Sequence, residues 1–412
     1  MQRTRRVYLD HAATTPVRPC VLEAYAEAAR EAGNAASQHA HGQAAMRRLA
    51  AATERIAEAL GCDAAELVLT SGGTESINLA VKGLYLARRR ADPAARAILS
   101  TPAEHHATLE TIAWLAREHG AVPRWAEVDE GAVLRPERLP GLAAAGDVAV
   151  ASVLHANNET GALQPVREIA AICREHGVPV HVDAVASFGA EPVSMRAWGV
   201  DALSVSAHKI GGPGGIGALA VRRGLEPEAL LHGGAAQRGL RPGTRDVAAA
   251  VAFAAAVEEA ERERSAVRER TAALRERLLA GVRSAVPDAV LRGPEPDGVL
   301  DDAGSRGPAR LAGNVLLTFP GCQGDSLLLL LDMAGVSVST GAACQAGVAE
   351  PSHVLLAAGL DERTALGALR VTLGRDTSEG DVDRFLHALP GAVERARRAG
   401  FSDRPAGRGS AA

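Results

Sequence analysis

Short apolar runs alternate with amphipathic stretches along the first half of the chain. The strand-like runs are ELVLT (66–70), RAILS (96–100), VAVASVL (148–154), VPVHVD (178–183) and DALSVSA (201–207). Helical spacing of apolar positions is found at 17–32, 42–60, 107–119 and 165–176. Such alternation predicts a mainly parallel sheet of the seven-stranded type with helices on both faces, an α/β fold.

The second half begins with one long charged helix over 246–285 and continues with strands near 314–319, 336–339 and 368–373. We therefore predict a large domain over 16–250 and a smaller α+β domain formed by 1–15 and 251–400. The Gly/Pro/Asp-rich segment 293–310 is typical of a long surface loop. The tail 401–412 is predicted to be disordered.

Composition narrows the class of protein. The chain has 412 residues, 47% hydrophobic and 23% charged, with a formal net charge of -4. This mild acidity predicts no general attraction to nucleic acid or to an anionic membrane. No apolar run is long enough to span a bilayer, and the N-terminus lacks the apolar core of a signal peptide, so we expect a cytoplasmic protein.

Five cysteines are scattered along the chain without C-x-x-C pairing. This spacing argues against a disulfide framework and against a zinc site built from thiolates. We expect Cys20, Cys62 and Cys173 to be buried structural thiols.

The glycine-rich stretch GGPGGIG contains a formal G-x-G-x-x-G match at Gly212, Gly214 and Gly217. A dinucleotide-binding loop needs a helix directly after the glycines, so that backbone N–H groups face the pyrophosphate. The residues that follow, ALAVRR, favour a strand instead. A dinucleotide-dependent oxidoreductase is therefore the weakest of the functional hypotheses.

Polar residues follow five of the predicted strands. In open parallel sheets, ligands bind beyond the carboxyl ends of the strands, so these residues are predicted to share one site. They are Thr74, His105, Asn158, Asp183, Ser206, His208 and Lys209.

Three of these features point to one cofactor when they are combined. The stretch SGGTES, which includes Gly73 and Thr74, can cradle a phosphate at a helix N-terminus, although its hydroxyls could equally only cap the helix. Lys209 follows a strand in a chain that is poor in lysine, and can form a Schiff base rather than remain a surface lysine. Asp183 can pair with a protonated ring nitrogen rather than cap the sheet. Together they indicate pyridoxal 5'-phosphate (PLP).

The smaller domain contributes two further candidates. Cys344 lies among small residues in STGAACQAGVAEPS, where an accessible, reactive thiol is favoured over a buried structural one. Arg370 in ALRVTLGR can grip a carboxylate in bidentate fashion, or can form a structural salt bridge, with equal support from sequence.

With these motifs in place, the chain resembles the cysteine desulfurases, PLP enzymes of fold type I and aminotransferase class V. The resemblance covers about residues 7 to 398 and rests on YLDHAATTP, TSGGTESINLA, EHHATL, HANNETGALQPV, HVDAVASFG, SAHKIGGPGGIGAL, VSTGAACQAG and LRVTLGR. It implies conversion of L-cysteine to L-alanine, with sulfur passed as an enzyme persulfide to an acceptor protein. Iron–sulfur cluster assembly and tRNA or cofactor thiolation are the pathways implied.

The resemblance also implies residue roles. Lys209 would hold PLP and move the substrate Cα proton, Cys344 would be the nucleophile, and His105 would stack on the ring. The implied cofactor contacts are Gly73, Thr74, Ser206 and His208 at the phosphate, Asp183 at the ring nitrogen, Asn158 at the ring hydroxyl and substrate carboxylate, and Thr244 at the phosphate of a neighbouring subunit in a homodimer. Asn34 and Arg370 would anchor the substrate carboxylate.

One position departs from the family pattern. Ala186 stands where these enzymes usually carry a glutamine beside the ring hydroxyl. This departure alone suggests a degenerate scaffold that binds a sulfur acceptor without turnover, against which the intact Lys209, Asp183, His105 and Cys344 argue. A separate hypothesis is another class V enzyme such as a selenocysteine lyase, an aminotransferase or an epimerase, for which Cys344 would be dispensable. No metal site is predicted, because the histidines at 39, 41, 105 and 106 have no carboxylate or thiolate at ligand spacing.

Overall fold

The computed structural model describes residues 6–295, 310–341 and 350–400. Its strands are β1 (Val7–Tyr8), β2 (Leu67–Thr70), β3 (Ala97–Ser100), β4 (Val122–Trp125), β5 (Val148–Leu154), β6 (Val180–Asp183), β7 (Ala202–Ser206), β8 (Gly217–Val221), β9 (Val290–Arg292), β10 (Asn314–Thr318), β11 (Val336–Ser337) and β12 (Ala368–Thr372). Cys344, most of the predicted loop 293–310 and the tail 401–412 lie outside the described residues.

The α-helices lie between and after these strands. They are α1 (Pro19–Ala29), α2 (Ala40–Ala59), α3 (Gly73–Ala91), α4 (His106–His119), α5 (Leu139–Ala143), α6 (Val166–Glu175), α7 (Met195–Trp198), α8 (Val247–Ala285), α9 (Gly324–Met333), α10 (His353–Ala357), α11 (Glu362–Leu366) and α12 (Glu379–Ala399).

A seven-stranded sheet forms the centre of the large domain, in the order β2-β8-β7-β6-β5-β3-β4. Only β8 runs antiparallel to its neighbours, so β2, β3, β5, β6 and β7 all end at the same edge. Strands buried on both faces explain why the sequence shows near-continuous apolar runs. The predicted α/β fold with a mainly parallel sheet is confirmed.

The smaller domain contains an antiparallel sheet in the order β12-β10-β9 and a parallel pair of β1 with β11. Its core joins apolar side chains from these strands with others from α8, α9 and α12, including Phe319 and Phe385. The pairing of β1 with β11 brings the N-terminus of the chain into this domain. Strands β1, β4 and β9 were not predicted, because each is short or carries proline and exposed positions.

The long helix α8 belongs to both cores. Its first half, through Ala260, packs under the large sheet, while Leu274 to Val282 face the core of the smaller domain. The predicted division at residue 250 lies inside this helix. A continuous helix is a stiff connection, so it fixes how the strand ends of one domain face the other.

Three of the four described cysteines are buried, namely Cys62, Cys173 and Cys322. Cys20 is exposed, which makes the prediction of a buried thiol wrong at this position. Cys20 lies in the first turn of α1. Val21 is the one buried residue of this helix and makes the contact of the helix with the core. Within the described ranges, no helix is both long and apolar enough to cross a membrane.

The strand predicted after Gly217 is confirmed as β8. A Cβ atom on Gly217 would lie 2.6 Å from the carbonyl oxygen of Val205 and 2.7 Å from Cα of Gly72. The glycine therefore lets β8 pass against β7 and against the turn before α3. The G-x-G-x-x-G match reflects backbone packing here, and no helix N-terminus follows it.

We predict that Gly217→Ala lowers the thermal unfolding midpoint of the apoprotein, because overpacking against two backbone segments costs roughly 1–3 kcal/mol. Gly214→Ala is the matched control, since a Cβ there meets nothing within 4 Å. Differential scanning fluorimetry of the two variants checks this, and equal midpoints would contradict the packing role of Gly217.

Candidate active site

The shared edge of the sheet brings the predicted strand-end residues into one region. Asp183 ends β6, Ser206 ends β7, and Lys209 closes the short 3-10 turn that follows β7. His105 and Gly73 stand at the starts of α4 and α3, which follow β3 and β2. Because β6 and β7 are hydrogen-bonded neighbours, their carboxylate and amine lie on adjacent strand ends.

Lys209 points toward the N-terminal segment of the chain. Its Nζ donates hydrogen bonds to the carbonyl oxygens of Ala12 and Ala13, the second at 3.0 Å. Burial, followed by the charge of Arg370, lowers the pKa of Lys209 to about 8, while Asp183 opposes this shift. An amine with a pKa of about 8 is neutral, and hence nucleophilic, in roughly a tenth of the molecules at pH 7, far more than an ordinary lysine.

Asp183 is 6% exposed, and its Oδ1 accepts a hydrogen bond from the backbone N–H of Val185 at 2.9 Å. Desolvation raises its pKa to about 6, against the opposing effects of that hydrogen bond and of Lys209. A carboxylate in this setting lacks a full ionic partner. A protonated ring nitrogen would be such a partner.

Two histidines border the same region. Nδ1 of His105 accepts the backbone N–H of Ala107 at 3.1 Å, which fixes the ring as the N-cap of α4. Its ring is accessible to solvent yet crowded by protein, and desolvation followed by Lys209 lowers its pKa to about 4. Nδ1 of His208 lies 3.2 Å from Oγ1 of Thr14, and desolvation lowers the pKa of His208 to about 4. Both rings are neutral at pH 7.

The start of α3 has the shape of an anion cradle. Gly72 has φ +151°, and a Cβ on it would lie 3.7 Å from Oγ of Ser206, so this turn stays open toward the end of β7. A Cβ on Gly73 would lie 2.7 Å from Cγ2 of Val185. Thr74 is exposed in the first turn of the helix, where backbone N–H groups are free to bind an anion.

Thr244 is exposed, and an ion pair of a nearby residue holds its segment close to the start of α3. Arg241, three residues earlier, forms an ion pair with Glu75 in the first turn of α3, with Nε 3.0 Å from Oε1. Oε2 of the same carboxylate accepts the backbone N–H of Ser71 at 2.6 Å. The segment around Thr244 is therefore held beside the helix start.

Arg370 is buried and has protein partners. Its NH2 group forms an ion pair with Oδ1 of Asp10 at 2.9 Å, and its NH1 donates to the carbonyl oxygen of Asn158 at 3.0 Å. Its Nε is buried and has no hydrogen-bond partner among the described residues. The structure thus places Asn158 and Arg370 together beside Lys209. Arg370 also forms the structural salt bridge that was one of its two predicted roles.

Asn34 is not joined to this group. Its side chain is exposed, and its Oδ1 accepts the backbone N–H of Ala36 at 2.9 Å. Within the described ranges, no hydrogen bond links Asn34 to Arg370 or Asn158. Its role at the substrate carboxylate stays a prediction.

Ala186 borders a cavity of about 140 Å³ behind Lys209. The cavity wall also includes Asn158 and Asn314, and the Nδ2 atom of Asn314 has no hydrogen-bond partner in the described part of the chain. Ala186 also packs against a small apolar cluster that contains Leu311. The space that a glutamine side chain would enter is therefore present beside the lysine.

Three features of the site escaped the sequence interpretation. Asp10 is the ionic partner of Arg370 although it is 360 residues away along the chain. Glu104 is 1% exposed, and burial raises its pKa well above its usual range, with the nearby charge of Asp183 adding to the rise. The rings of His106 and His353 lie 4.6 Å apart across the two domains. Asp10 lies in the motif YLDHAATTP and Glu104 in the motif EHHATL. Membership of these motifs was the one feature of the sequence that could have pointed to either residue.

The residues present fit PLP. The accessible face of His105 can stack on an aromatic ring, Asp183 lacks a cation, the turn at Gly72 can receive a phosphate, and Lys209 supplies the amine. Among the described residues, no cluster of His, Cys, Asp and Glu side chains could hold a metal ion. These side chains and backbone groups suit an organic phosphate that carries a basic ring nitrogen.

Comparison with known proteins places this site in a family context. The family model for aminotransferase class-V matches residues 7–385. The chain is 47% identical over 396 residues to an "IscS-like cysteine desulfurase" of Mycobacterium tuberculosis, covering 96% of this chain and 98% of that protein. It is 38% identical to "Cysteine desulfurase IscS" of Methanosarcina thermophila, covering 95% and 93%. A solved structure described as a NifS-like protein superposes with a TM-score of 0.85 at 34% identity, covering 95% and 100%.

We predict that Lys209 of the apoprotein titrates with a pKa of about 8. Arg370→Leu should raise this pKa, because a neighbouring positive charge is removed, and Asp183→Asn should lower it, because a stabilising negative charge is lost. The rate of acylation by an amine-reactive reagent, followed by peptide mass spectrometry over about pH 6 to 10, measures it.

Lys82, the only other lysine of the chain, is the internal reference in each sample. Lys82 lies on α3, away from both substitutions, and its Nζ is over the ring of Trp114. Shifts of the Lys209 pKa in the same direction in both variants would contradict the electrostatic account of the site.

We also predict that Ala186→Gln tightens PLP binding about two- to tenfold, because one added hydrogen bond is worth about 0.5–1.5 kcal/mol. Ala190→Gln, on the same cavity wall, is the control and should leave the affinity unchanged. Titration of the apoproteins with PLP gives the dissociation constants. Equal values for wild type and Ala186→Gln would show that the cavity does not reach the cofactor.

Proposed function

The chain belongs to the class-V aminotransferase family and is a PLP-dependent cysteine desulfurase, and we propose that Lys209 and Cys344 carry its chemistry from L-cysteine to L-alanine. The observation that supports the role of Lys209 is its placement beside Asp183 on adjacent strand ends, each with a pKa moved toward neutrality by burial. The match to relatives over nearly the whole chain supports the substrate.

When bound, PLP supplies an aromatic electron sink that acidifies the substrate Cα and weakens its Cβ–S bond. Asp183 would keep the ring nitrogen protonated, and His105 would pack on the ring. Lys209 Nζ takes the proton from the substrate Cα and returns protons to carbon. Arg370 and Asn158 border the place where the substrate carboxylate is oriented.

The thiolate of Cys344 attacks the substrate sulfur. The substrate Cβ–S bond breaks and a sulfur–sulfur bond forms, so the enzyme carries a persulfide. The electron pair of the broken Cβ–S bond remains with the substrate carbon, which is protonated to give alanine. No external oxidant or reductant is required until an acceptor removes the terminal sulfur.

We further infer that the enzyme works as a homodimer in the cytoplasm and passes sulfur to an acceptor protein. The exposed Thr244 beside the start of α3 supports a contact with a second subunit. A thiol that must return to its reduced form after each turnover favours a reducing compartment. The names of the relatives favour iron–sulfur cluster assembly as the destination, and tRNA thiolation is the second candidate.

We predict that purified protein with PLP forms alanine and, with a reducing thiol present, sulfide from L-cysteine in equal amounts. Cys344→Ser should abolish both, because the substrate sulfur then has no acceptor, and Cys20→Ser, at an exposed thiol on α1, is the matched control with unchanged rates. Alanine is measured chromatographically and sulfide colorimetrically. Alanine formation that survives Cys344→Ser would refute the persulfide role and favour a selenocysteine lyase or another class V reaction.

A further inference from the structure

Helix α10 of the smaller domain begins against two turns of the large domain. Its N-cap, Ser352, donates a hydrogen bond from its hydroxyl to Oε2 of Glu159. Its first residue, His353, donates from Nε2 to the carbonyl oxygen of Glu104 at 2.8 Å. The two acceptors follow β5 and β3, which are neighbours in the large sheet. The helix therefore binds at the sheet edge where the residues of the candidate site lie.

Apolar side chains hold α10 on both sides. Leu355 is 1% exposed and belongs to a cluster with Leu316 of β10 in the smaller domain. Val354 and, one turn later, Ala358 belong to a different cluster, with Ala103 of the large domain. The helix is thus fixed to its own domain on one side and to the turn before α4, residues 101–105, on the other.

The ring of His353 has a defined orientation at this boundary. A carbonyl oxygen can only accept a hydrogen bond, so Nε2 of His353 carries a proton. The ring centroid lies 4.6 Å from that of His106, the first residue of α4, and the two planes are tilted by 56°. His353 therefore makes one polar contact and one packing contact with the large domain.

The hydrogen bond from His353 fixes the backbone immediately before His105. The carbonyl oxygen of Glu104 belongs to the same planar peptide unit as the backbone nitrogen of His105. On the other side of His105, its carbonyl oxygen accepts the N–H of Thr108 at 2.9 Å, and its Nδ1 accepts the N–H of Ala107 at 3.1 Å. His105 is held by the start of α4 on one side and by the smaller domain on the other.

The large domain holds the rest of this turn by itself. The carbonyl oxygen of Ala103 accepts a hydrogen bond from Nδ2 of Asn157 at 2.9 Å. Oε1 of Glu104 accepts one from the hydroxyl of Thr101 at 2.8 Å. The carbonyl oxygen of Glu104 is the point at which a polar group of the smaller domain joins this arrangement.

We propose that His353 is a positioning residue, which holds the His105 ring in place for the cofactor by fixing the preceding peptide group from the smaller domain. It acts through the backbone of Glu104. The inference rests on the proposed packing of His105 on the cofactor ring, and it goes beyond that role by naming a residue of the other domain that keeps the ring in position.

The test reads the His105 ring in the full-length apoprotein at pH 7 through acylation by diethyl pyrocarbonate. Burial, followed by the charge of Lys209, lowers the pKa of His105 to about 4, so the ring is neutral at this pH. The reagent attacks the ring nitrogen without a proton, which is Nδ1 because it accepts the N–H of Ala107. A ring that is held less firmly exposes this nitrogen more often.

The variants His353→Phe and His353→Gln separate the hydrogen bond from the ring packing. Phenylalanine keeps a ring against His106 but has no donor, whereas glutamine keeps a side-chain N–H donor. Peptide mass spectrometry gives the acylation of His105 relative to His387, an exposed histidine on α12 that serves as internal reference. This ratio should rise about two- to tenfold in His353→Phe and stay near the wild-type value in His353→Gln.

A matched control excludes general loosening of the helix. Leu356→Ala changes a residue of α10 that is 36% exposed, and should leave the ratio unchanged. Val354→Ala weakens the apolar part of the same docking contact and should raise the ratio, so it decides if His353→Phe does not fold. In the alanine assay of the holoenzyme, kcat of His353→Phe should fall about three- to thirtyfold with little change in KM, because misplacement costs rate more than binding.

A wild-type ratio in His353→Phe would overturn the proposal, as would an equal rise in His353→Phe and His353→Gln or in Leu356→Ala. Addition of PLP to the wild-type apoprotein should protect His105 from the reagent, which tests its packing on the cofactor separately. The ratio in the apoprotein is read without turnover. It therefore still tests His353 if wild type forms no alanine, a result that would instead refute the proposed function.

Discussion

The site depends on a carboxylate and an amine that are withdrawn from water on neighbouring strand ends. For both Asp183 and Lys209, desolvation is the largest influence on the pKa, and their mutual attraction only moderates it. Pairing of β6 with β7 sets their separation, so the order of strands in the sheet determines the chemistry available at its edge. The pKa of Asp183 is about 6 and that of Lys209 is about 8, so both lie close to neutral pH. Groups of this kind can hold or release protons near neutral pH.

The turn at residues 157–161 is one of the places where the two domains meet. The carbonyl oxygen of Asn158 accepts a hydrogen bond from Arg370, and the carboxylate of the next residue, Glu159, accepts one from the hydroxyl of Ser352. Helix α8 holds the domains in register from the opposite side, because its two halves lie in different cores. Asn157 holds the turn in place through hydrogen bonds within it and to the carbonyl oxygen of Ala103, so Arg370 and Ser352 of the smaller domain bind to a fixed part of the large one.

Periodicity and strand-end chemistry were enough to predict the sheet, the long helix and the cofactor-facing residues. These features are local, since a strand and the polar residue after it are adjacent in sequence. The pairing of Arg370 with Asp10 and of Ser352 with Glu159 could not be predicted, because the partners are 360 and 193 residues apart. The exposure of Cys20 was also missed, because a short amphipathic pattern does not show how little of α1 faces the core.

Ala186 shows how a change in one site residue can leave the charge arrangement intact. The polar groups around it, Lys209, Asn158 and Asp183, are positioned by strand ends and backbone hydrogen bonds that do not involve residue 186. An alanine at this position carries no amide donor and borders a cavity, while burial remains the largest influence on the pKa values of Asp183 and Lys209. The acid–base properties of the site and its affinity for the cofactor are therefore set by different residues. A loss at position 186 can weaken binding of the ring without changing which groups carry protons.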